Sequence, residues 1–397
     1  MSNRREFLKH SALIGAASVV PLSVAIGNNP KKITSSSVTP TDTYTVDMES
    51  ALNIQPVLPR QITIPDTGGF KVLKGDFHMH TLFSDGHVMP ADRVTEAVQN
   101  GLDVIAITDH IEYRPYFSHT GRWKLVDGVG NDFNIAYNLA KPDADRQNLL
   151  LVPGTEITKF HMPPGHLNAL FVQDVNPIAG AVDDWRKMLR VAADQGAFLL
   201  WNHPGWEAPQ SGGIEKGAPL RFTAEHEEIY KQGLMNGIEV FNGTQYYPIV
   251  SDWCNERDLA IFANSDIHPT ELSQYGIQNP LRPITLVLAK ERTVESVREA
   301  MFERRTIGWA AGMLWGRDPW LPELFNASVE IKTITPGTLE LTNRSSLPIS
   351  VSLGGATFNL PKDTKQQVFR AEGAKVISVV NWMIGMNRPL EILLRSE

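Results

Sequence analysis

A parallel α/β barrel followed by a small all-β region is the architecture that this 397-residue sequence predicts. Three observations carry that expectation. From Phe70 to about Trp309, short apolar strands alternate with amphipathic helices, the rhythm of parallel α/β folds. Titratable residues recur where those strands end, which is where barrels carry their chemistry and which favours a closed or nearly closed barrel over an open sheet. Beyond about Pro322 the helical spacing gives way to short, β-branched, alternating segments between turn residues, the pattern of a small sandwich.

Taken in order, the chain opens with a targeting segment. Arg4-Arg5-Glu6-Phe7-Leu8-Lys9 precedes an apolar stretch from Ala12 to Ala25 that is too short and too rich in small residues for a membrane span. It resembles a twin-arginine export signal, so residues 1–27 are expected to send the protein to the periplasm or otherwise out of the cytoplasm, with no stable membrane span once the signal is removed. Residues 28–60, rich in Ser, Thr and Pro, suit a linker. The barrel is assigned to residues 61–321 and the β-sandwich-like region to residues 322–397.

Within the barrel, Lys74-Gly75-Asp76-Phe77-His78-Met79-His80 predicts a strand whose two histidines, at i and i+2, share a face and reach one ion. A helix follows from Pro90 to Asn100, with proline in its first turn and Gly101 as its stop. Leu102 to Thr108 is a strand closing on Asp109-His110. Leu149 to Val152 ends in Pro153-Gly154-Thr155-Glu156, and His166 to Val172 forms another strand. A helix from Asp183 to Gln195 leads to the strand Ala197 to Trp201 and the turn Asn202-His203-Pro204. The helix around Glu225 to Leu234 precedes the strand Gly237 to Phe241. Next come the helix Ile249 to Arg257 and the strand Leu259 to Ser265, which runs into Asp266-Ile267-His268. Pro283 to Leu288 and the helix Thr293 to Arg304 complete the set. In the last region, strands are expected at Ala327 to Lys332, Thr338 to Asn343, Ile349 to Leu353 and Val376 to Asn381.

Composition narrows the function classes. With 44 acidic and 37 basic residues the formal charge is -7, so no polyanion-binding surface and no nucleic-acid polymer partner is expected. The single cysteine, Cys254, excludes an intramolecular disulfide and a cysteine-based zinc site, and its apolar setting suits a small helix hydrophobe. Of 11 histidines, His78, His80, His110, His166, His203 and His268 stand at or beside strand ends, with Asp85, Asp109, Glu156 and Asp266 in matching positions. So many strand-end imidazoles beside carboxylates make sense when cations balance their charge.

Asp76-Phe77-His78-Met79-His80-Thr81 with Ser84-Asp85-Gly86, Thr108-Asp109-His110, Gly154-Thr155-Glu156, His166, Asn202-His203-Pro204 and Asp266-Ile267-His268 resemble the ordered motifs of the polymerase-and-histidinol-phosphatase (PHP) superfamily. The resemblance covers Phe70 to about Gly308. It implies a distorted (β/α)7 barrel holding two or three divalent ions of manganese, iron or zinc. Carried over position by position, it implies that His78, His80, Glu156 and Asp266 hold a first ion. Glu156, His166 and His203 hold a second; Asp85, His110 and His268 hold a third. Many members have histidine where this chain has Asp85.

The activity that follows is metal-dependent hydrolysis of a small organic phosphate ester. Two ions sharing Glu156 at about 3.5 to 4 Å separation lower the pKa of a bridging water, and that hydroxide attacks phosphorus in line. His268 holds the third ion against a phosphoryl oxygen, Asp266 is a candidate proton acceptor, and His119 a candidate proton donor. Asp109 is expected behind the ligands, orienting one of them. Arg114, Arg122 and Lys124, with Trp206, are the expected substrate contacts, since they place cations and an aromatic wall on loops next to ligands. Phosphodiesters are preferred over monoesters because of the resemblance to exported members with an added C-terminal β domain. A hydrolase acting on a non-phosphate substrate and a noncatalytic metal-bearing binding module remain open alternatives. The sequence does not set the oligomeric state.

Overall fold

The computed structural model describes residues 58–116, 132–205, 220–276, 278, 280–335, 337–369 and 375–394. The leader, His119, Arg122, Lys124 and Trp206 lie outside the described residues. Among those described, no helix is long and apolar enough to cross a membrane.

The barrel half contains β1 (Lys71–Asp76), α1 (Pro90–Gln99), β2 (Val104–Ile107), α2 (Ile135–Arg146), β3 (Leu150–Ile157), β4 (Leu167–Leu170), α3 (Asn176–Ala179), α4 (Trp185–Asp194) and β5 (Phe198–Trp201). It continues through α5 (Ala224–Lys231), β6 (Gly237–Asn242), β7 (Gln245–Tyr246), α6 (Ile249–Arg257), β8 (Ala260–Asn264), α7 (Glu271–Tyr275), β9 (Ile284–Ala289) and α8 (Val294–Phe302). Strands β2, β5, β6, β8 and β9 are buried along their whole length, which is why their sequences are nearly continuous apolar runs. Helix α4 shows the complementary logic. Asp184 caps its first turn by accepting from the Arg186 and Lys187 amides, and Trp185, Met188, Leu189 and Ala192 form the buried face.

Seven strands make the ring. β1, β2 and β3 run parallel, as do β5, β6 and β8. The ring closes where the chain beyond β8 meets the chain beyond β1: Met79 bridges Ile267 in parallel, and the Asp266 and His80 amides donate to the His78 and Ile267 carbonyls at 2.9 and 3.0 Å. Arg93 of α1 locks this seam. Its fully buried guanidinium donates to the carbonyls of His80 (2.9 Å), Ile267 (3.1 Å), His268 (2.7 Å) and Pro269 (2.8 Å) and to Glu96 (2.7 Å).

Three features depart from the expected pattern. Strand β4 is antiparallel to both β3 and β5, because the link 158–166 is too short for a crossover helix and allows only a reversal. Helix α2 was not signalled by periodicity: it carries Pro142 internally and its buried face is only Ala136, Ala140 and Ala144. Strand β3 also runs on through Pro153-Gly154 to Ile157, so Glu156 lies within a paired strand.

Outside the ring, β9 pairs antiparallel with β1 and is followed by the hairpin β10 (Thr306–Ala310) and β11 (Met313–Trp315). Helix α9 (Trp320–Ser328) then leads into β12 (Val329–Thr335), β13 (Thr338–Asn343), β14 (Ser350–Leu353), β15 (Ala356–Asn359), β16 (Lys365–Phe369), β17 (Val376–Gly385) and β18 (Arg388–Leu393). Strands β12, β13 and β16 form one antiparallel sheet, while β14, β15, β17 and β18 form another joined to the barrel sheet by parallel pairing of β17 with β11. Between them lie Leu339, Leu341, Val351, Leu353, Ile377 and Val379, a sandwich-like core. The molecule is therefore an α/β barrel arrangement carrying a β-rich C-terminal region, as the sequence predicts.

Candidate metal centre

His78 and His80 emerge just past β1 with no solvent exposure, while Phe77 and Met79 between and beside them pack into the core. The alternation of an extended chain thus turns both imidazoles inward. Their Nε2 atoms converge on two carboxylates. His78 Nε2 lies 3.4 Å from Glu156 Oε2 and 3.2 Å from Asp266 Oδ1; His80 Nε2 lies 3.2 and 3.1 Å from the same two atoms. Ligands held at about 2.0 to 2.2 Å from one ion lie about 3 to 3.5 Å from each other, which is the spacing seen here. All four atoms are buried and none makes a hydrogen bond of good geometry among the described residues, a convergence that fits a shared cation.

Glu156 is two-sided. Its Oε2 faces His78, His80 and His110 Nδ1 (3.1 Å), whereas Oε1 faces His166 Nδ1 (2.9 Å), His203 Nε2 (3.4 Å) and Asn202 Nδ2 (2.8 Å). One carboxylate therefore serves two groups of histidines. Asp266 and His203 both adopt positive φ, 50° and 25°, backbone strain of the kind that accumulates where side chains are aimed for function.

Behind the ligands, a layer of hydrogen bonds fixes which nitrogen faces inward. Buried Glu239 accepts from His78 Nδ1 (2.9 Å), Asn264 Nδ2 (2.9 Å), Asn242 Nδ2 (2.8 Å) and the His203 amide (2.8 Å), leaving His78 Nε2 as the lone-pair atom. Ser84 gives its hydroxyl proton to Asp109 (2.5 Å), so its oxygen receives His80 Nδ1–H at 3.2 Å and His80 Nε2 is likewise free to bind. Asp109 also takes the Thr81 amide and hydroxyl, at 2.7 and 2.5 Å, and so holds the whole 81–84 turn. That turn continues through Gly86, where a Cβ would come within 2.4 Å of the His80 carbonyl carbon; only glycine fits.

An outer group completes the site. Asp85 Oδ1 is 3.3 Å from His268 Nε2, and Asp85 Oδ2 is 3.6 Å from His110 Nε2; with His80 these residues form a further set of potential ligands. His268 donates Nδ1–H to the Asp266 carbonyl at 2.8 Å. Side-chain exposure rises here, to 18% for Asp85 and 33% for His268, against 0% for His78 and His80.

Charge within the cluster is divided unevenly. Burial opposes protonation of His78, but the Asp266, Glu156 and Glu239 carboxylates outweigh it and hold the ring well above the ordinary histidine value. His80, opposed by burial in the same way, is raised to about 9 by Asp266 and Glu156. Burial dominates at His110 and His166, which fall below that value. Glu156 and Asp266, despite burial, are pulled far below the usual carboxylate range by the surrounding histidines. Protein groups alone thus balance the carboxylates with protons on histidine, and divalent cations binding the same atoms displace those protons.

The PHP domain family pattern matches residues 76–291, a span that contains every residue of the cluster described above. The chain belongs to the PHP family. A crystal structure from Bacteroides vulgatus, of a two-domain protein containing a predicted PHP-like metal-dependent phosphoesterase, is 34% identical. The match covers 85% of this chain and 98% of that one, with a TM-score of 0.75. An uncharacterized protein of Methanocaldococcus jannaschii, MJ1295, is 31% identical over 94 residues, 23% of this chain and 36% of that protein. The chain thus spans only about a third of that curated relative.

The PHP barrel brings His78, His80, Asp85, His110, Glu156, His166, His203, Asp266 and His268 together in one cluster of overlapping ligand groups. Arg114, expected to contact substrate, has its Nε on the Phe83 carbonyl (2.9 Å) and its guanidinium 4.6 Å from the Phe133 ring centre, buttressing the loop beyond the outer group. Two residues escaped the sequence reading. Glu239 sits in the apolar run Gly237-Ile238-Glu239-Val240-Phe241, and a lone carboxylate in a fully buried strand is itself the signal that could have found it. Lys159, after the expected ligand Glu156, reaches His110 Nε2 at 2.7 Å; nothing in its sequence setting distinguishes it from a loop lysine.

Proposed function

We propose that this PHP domain hydrolyses a small organic phosphate ester, with diesters preferred over monoesters. The observation that carries the reading is the two-sided Glu156 carboxylate between buried histidine groups, an arrangement suited to a pair of divalent ions of manganese, iron or zinc. Such ions, when bound, supply an acidified water and positive charge for developing phosphoryl oxyanions.

The chain's own residues do the rest. His78, His80, Glu156 and Asp266 hold one ion, and Glu156, His166 and His203 a second. Glu239, Ser84 and Asp109 keep the rings in the tautomer that binds. Asp266, with 19% side-chain exposure against 1% for Glu156, is the ligand carboxylate that passes a proton toward solvent. Asp85, His110, His268 and Lys159 form the rim that meets an anionic substrate. Diester preference rests on the resemblance to exported members with an added β domain.

A panel of phosphate mono-, di- and triesters, amides and lactones, assayed on full-length protein before chelation, after it and after manganese is returned, tests this. The expected outcome is phosphate-ester hydrolysis that disappears with the metal and returns with it, fastest for a diester. Turnover confined to amides or lactones, or no turnover by fully metallated protein, would overturn it.

A further inference from the structure

Lys159 occupies a position that the site itself makes ambiguous. Thr158 turns the chain out of β3 with φ at 68°, a conformation a β-branched residue rarely adopts. The Glu112 carboxylate holds that turn by accepting the Thr158 amide at 2.6 Å, and the Thr158 hydroxyl lies within reach of the Ile157 and Gly165 carbonyls. The strained turn swings Lys159 over the rim. There Nζ lies 2.7 Å from His110 Nε2, 3.3 Å from Asp85 Oδ2 and 4.8 Å from the centre of the Tyr113 ring.

An ammonium has only donors, so the lone pair of His110 Nε2 points at Lys159. That lone pair and the Asp85 carboxylate belong to the outer ligand group of His80, Asp85, His110 and His268. One lone pair serves one cation, and an ammonium beside a divalent ion is repelled. The deep group differs: His78, His80, Glu156 and Asp266 have no lysine or arginine ion-pair partner among the described residues.

We propose that Lys159 and a third divalent ion compete for the same two atoms, His110 Nε2 and Asp85 Oδ2. The outer position is lysine-held by default and accepts an ion only when Lys159 withdraws, while the position formed by His78, His80, Glu156 and Asp266 has no lysine or arginine ion pair among the described residues. The displaced ammonium, still beside Tyr113, then becomes a contact for an anionic group. This rests on the metal-binding reading of the cluster and is independent of which ester is cleaved.

The test counts metal. Full-length wild type, Lys159→Met, Lys159→Ala and Lys159→Arg are stripped by chelation, titrated with manganese by calorimetry, desalted and measured by elemental analysis, with circular dichroism as the folding check. Wild type and Lys159→Arg are expected to retain two ions per chain. The neutral variants should retain three, or bind the outermost ion about 10-fold tighter or more, the scale on which neighbours tune metal affinity. Equal stoichiometry and affinity in folded neutral variants and wild type would overturn the proposal, whatever substrates are turned over. Wild-type crystals soaked in manganese give a second reading that needs no variant. Anomalous density at the outer position must coincide with Nζ displaced from His110 Nε2; an ion and that contact together would also overturn it.

Discussion

The deep and outer halves of the ligand cluster are built from the same residue types and yet are held very differently. His78 and His80 have no exposure and each has a fixed partner behind it, Glu239 for one and Ser84 with Asp109 for the other. Asp85 and His268 sit at the rim, partly exposed, and Asp85 has a lysine ammonium as a neighbour. Burial with complete hydrogen bonding makes a ligand's position part of the fold; partial exposure makes it answer to whatever cation is present.

Replacing Glu239 attacks the deep half and has the largest expected effect. Glu239→Ala leaves the His78 ring, the His203 amide and the Asn242 and Asn264 side chains without their acceptor. At about 1 to 3 kcal/mol for each buried donor left unpaired, unfolding free energy should fall by about 4 kcal/mol or more. Manganese affinity of the deep pair should fall by about 10- to 100-fold. Denaturant unfolding and calorimetry on one preparation check both, and wild-type affinity in a folded variant would mean that Glu239 does not position the ligands.

Replacing Asp85 probes the outer half. Asp85→Ala is expected to fold with wild-type stability and keep the Glu156-centred ions, while kcat falls by about 10²-fold, the scale of losing one electrostatic partner of the transition state, because the Lys159 ammonium and any outer ion both lose the carboxylate that holds them. Steady-state kinetics with metal analysis read this out; loss of the deep ions as well would erase the distinction between the halves.

A smaller effect separates the framework from the site altogether. His226 donates from Nε2 to the Pro164 carbonyl (2.7 Å), accepts the Thr223 amide at Nδ1 (3.1 Å) and stacks on Trp201 at 3.7 Å. Burial lowers its pKa to about 4 from 6.5. Because the folded value is the lower one, this group's stabilisation is complete above 6.5 and is lost as pH falls toward 4. By pH 5 the loss amounts to about 2 kcal/mol. Between pH 7 and pH 5 with chelator present, wild type should lose about 2 kcal/mol more unfolding free energy than His226→Gln; identical pH dependence in the two would remove His226 as a source.

The same contrast governs what the sequence revealed. The histidine and carboxylate motifs whose side chains converge in one cluster were legible because an i, i+2 histidine pair and repeated carboxylate–histidine turns have few other uses. Strand existence was legible from apolar runs, but β4's direction lay in the length of the 158–166 link rather than in composition. Helix α2 was hidden by Pro142 and by a contact face of alanines. Arg93 and Lys159 were hidden for a deeper reason: in sequence each is an ordinary surface cation, and only distant carbonyls or ligands make either one part of the site. Of the expected substrate contacts, Arg122, Lys124 and Trp206 lie outside the described residues, as does the candidate proton donor His119, while Arg114 braces a loop.

The seam that Arg93 fastens also sets the order of events in the life of the chain. His78 and Ser265, joined across it, are 187 residues apart, so nearly the whole barrel must be synthesised before the ring can close. Contacts so remote in sequence form slowly. Until they form, His78 and Asp266 belong to separate pieces of polypeptide, and an ion arriving early meets scattered single ligands. On the proposed metal-binding reading, capture of a deep ion would therefore mark the completion of folding, and the metal available at that moment would be the one taken up.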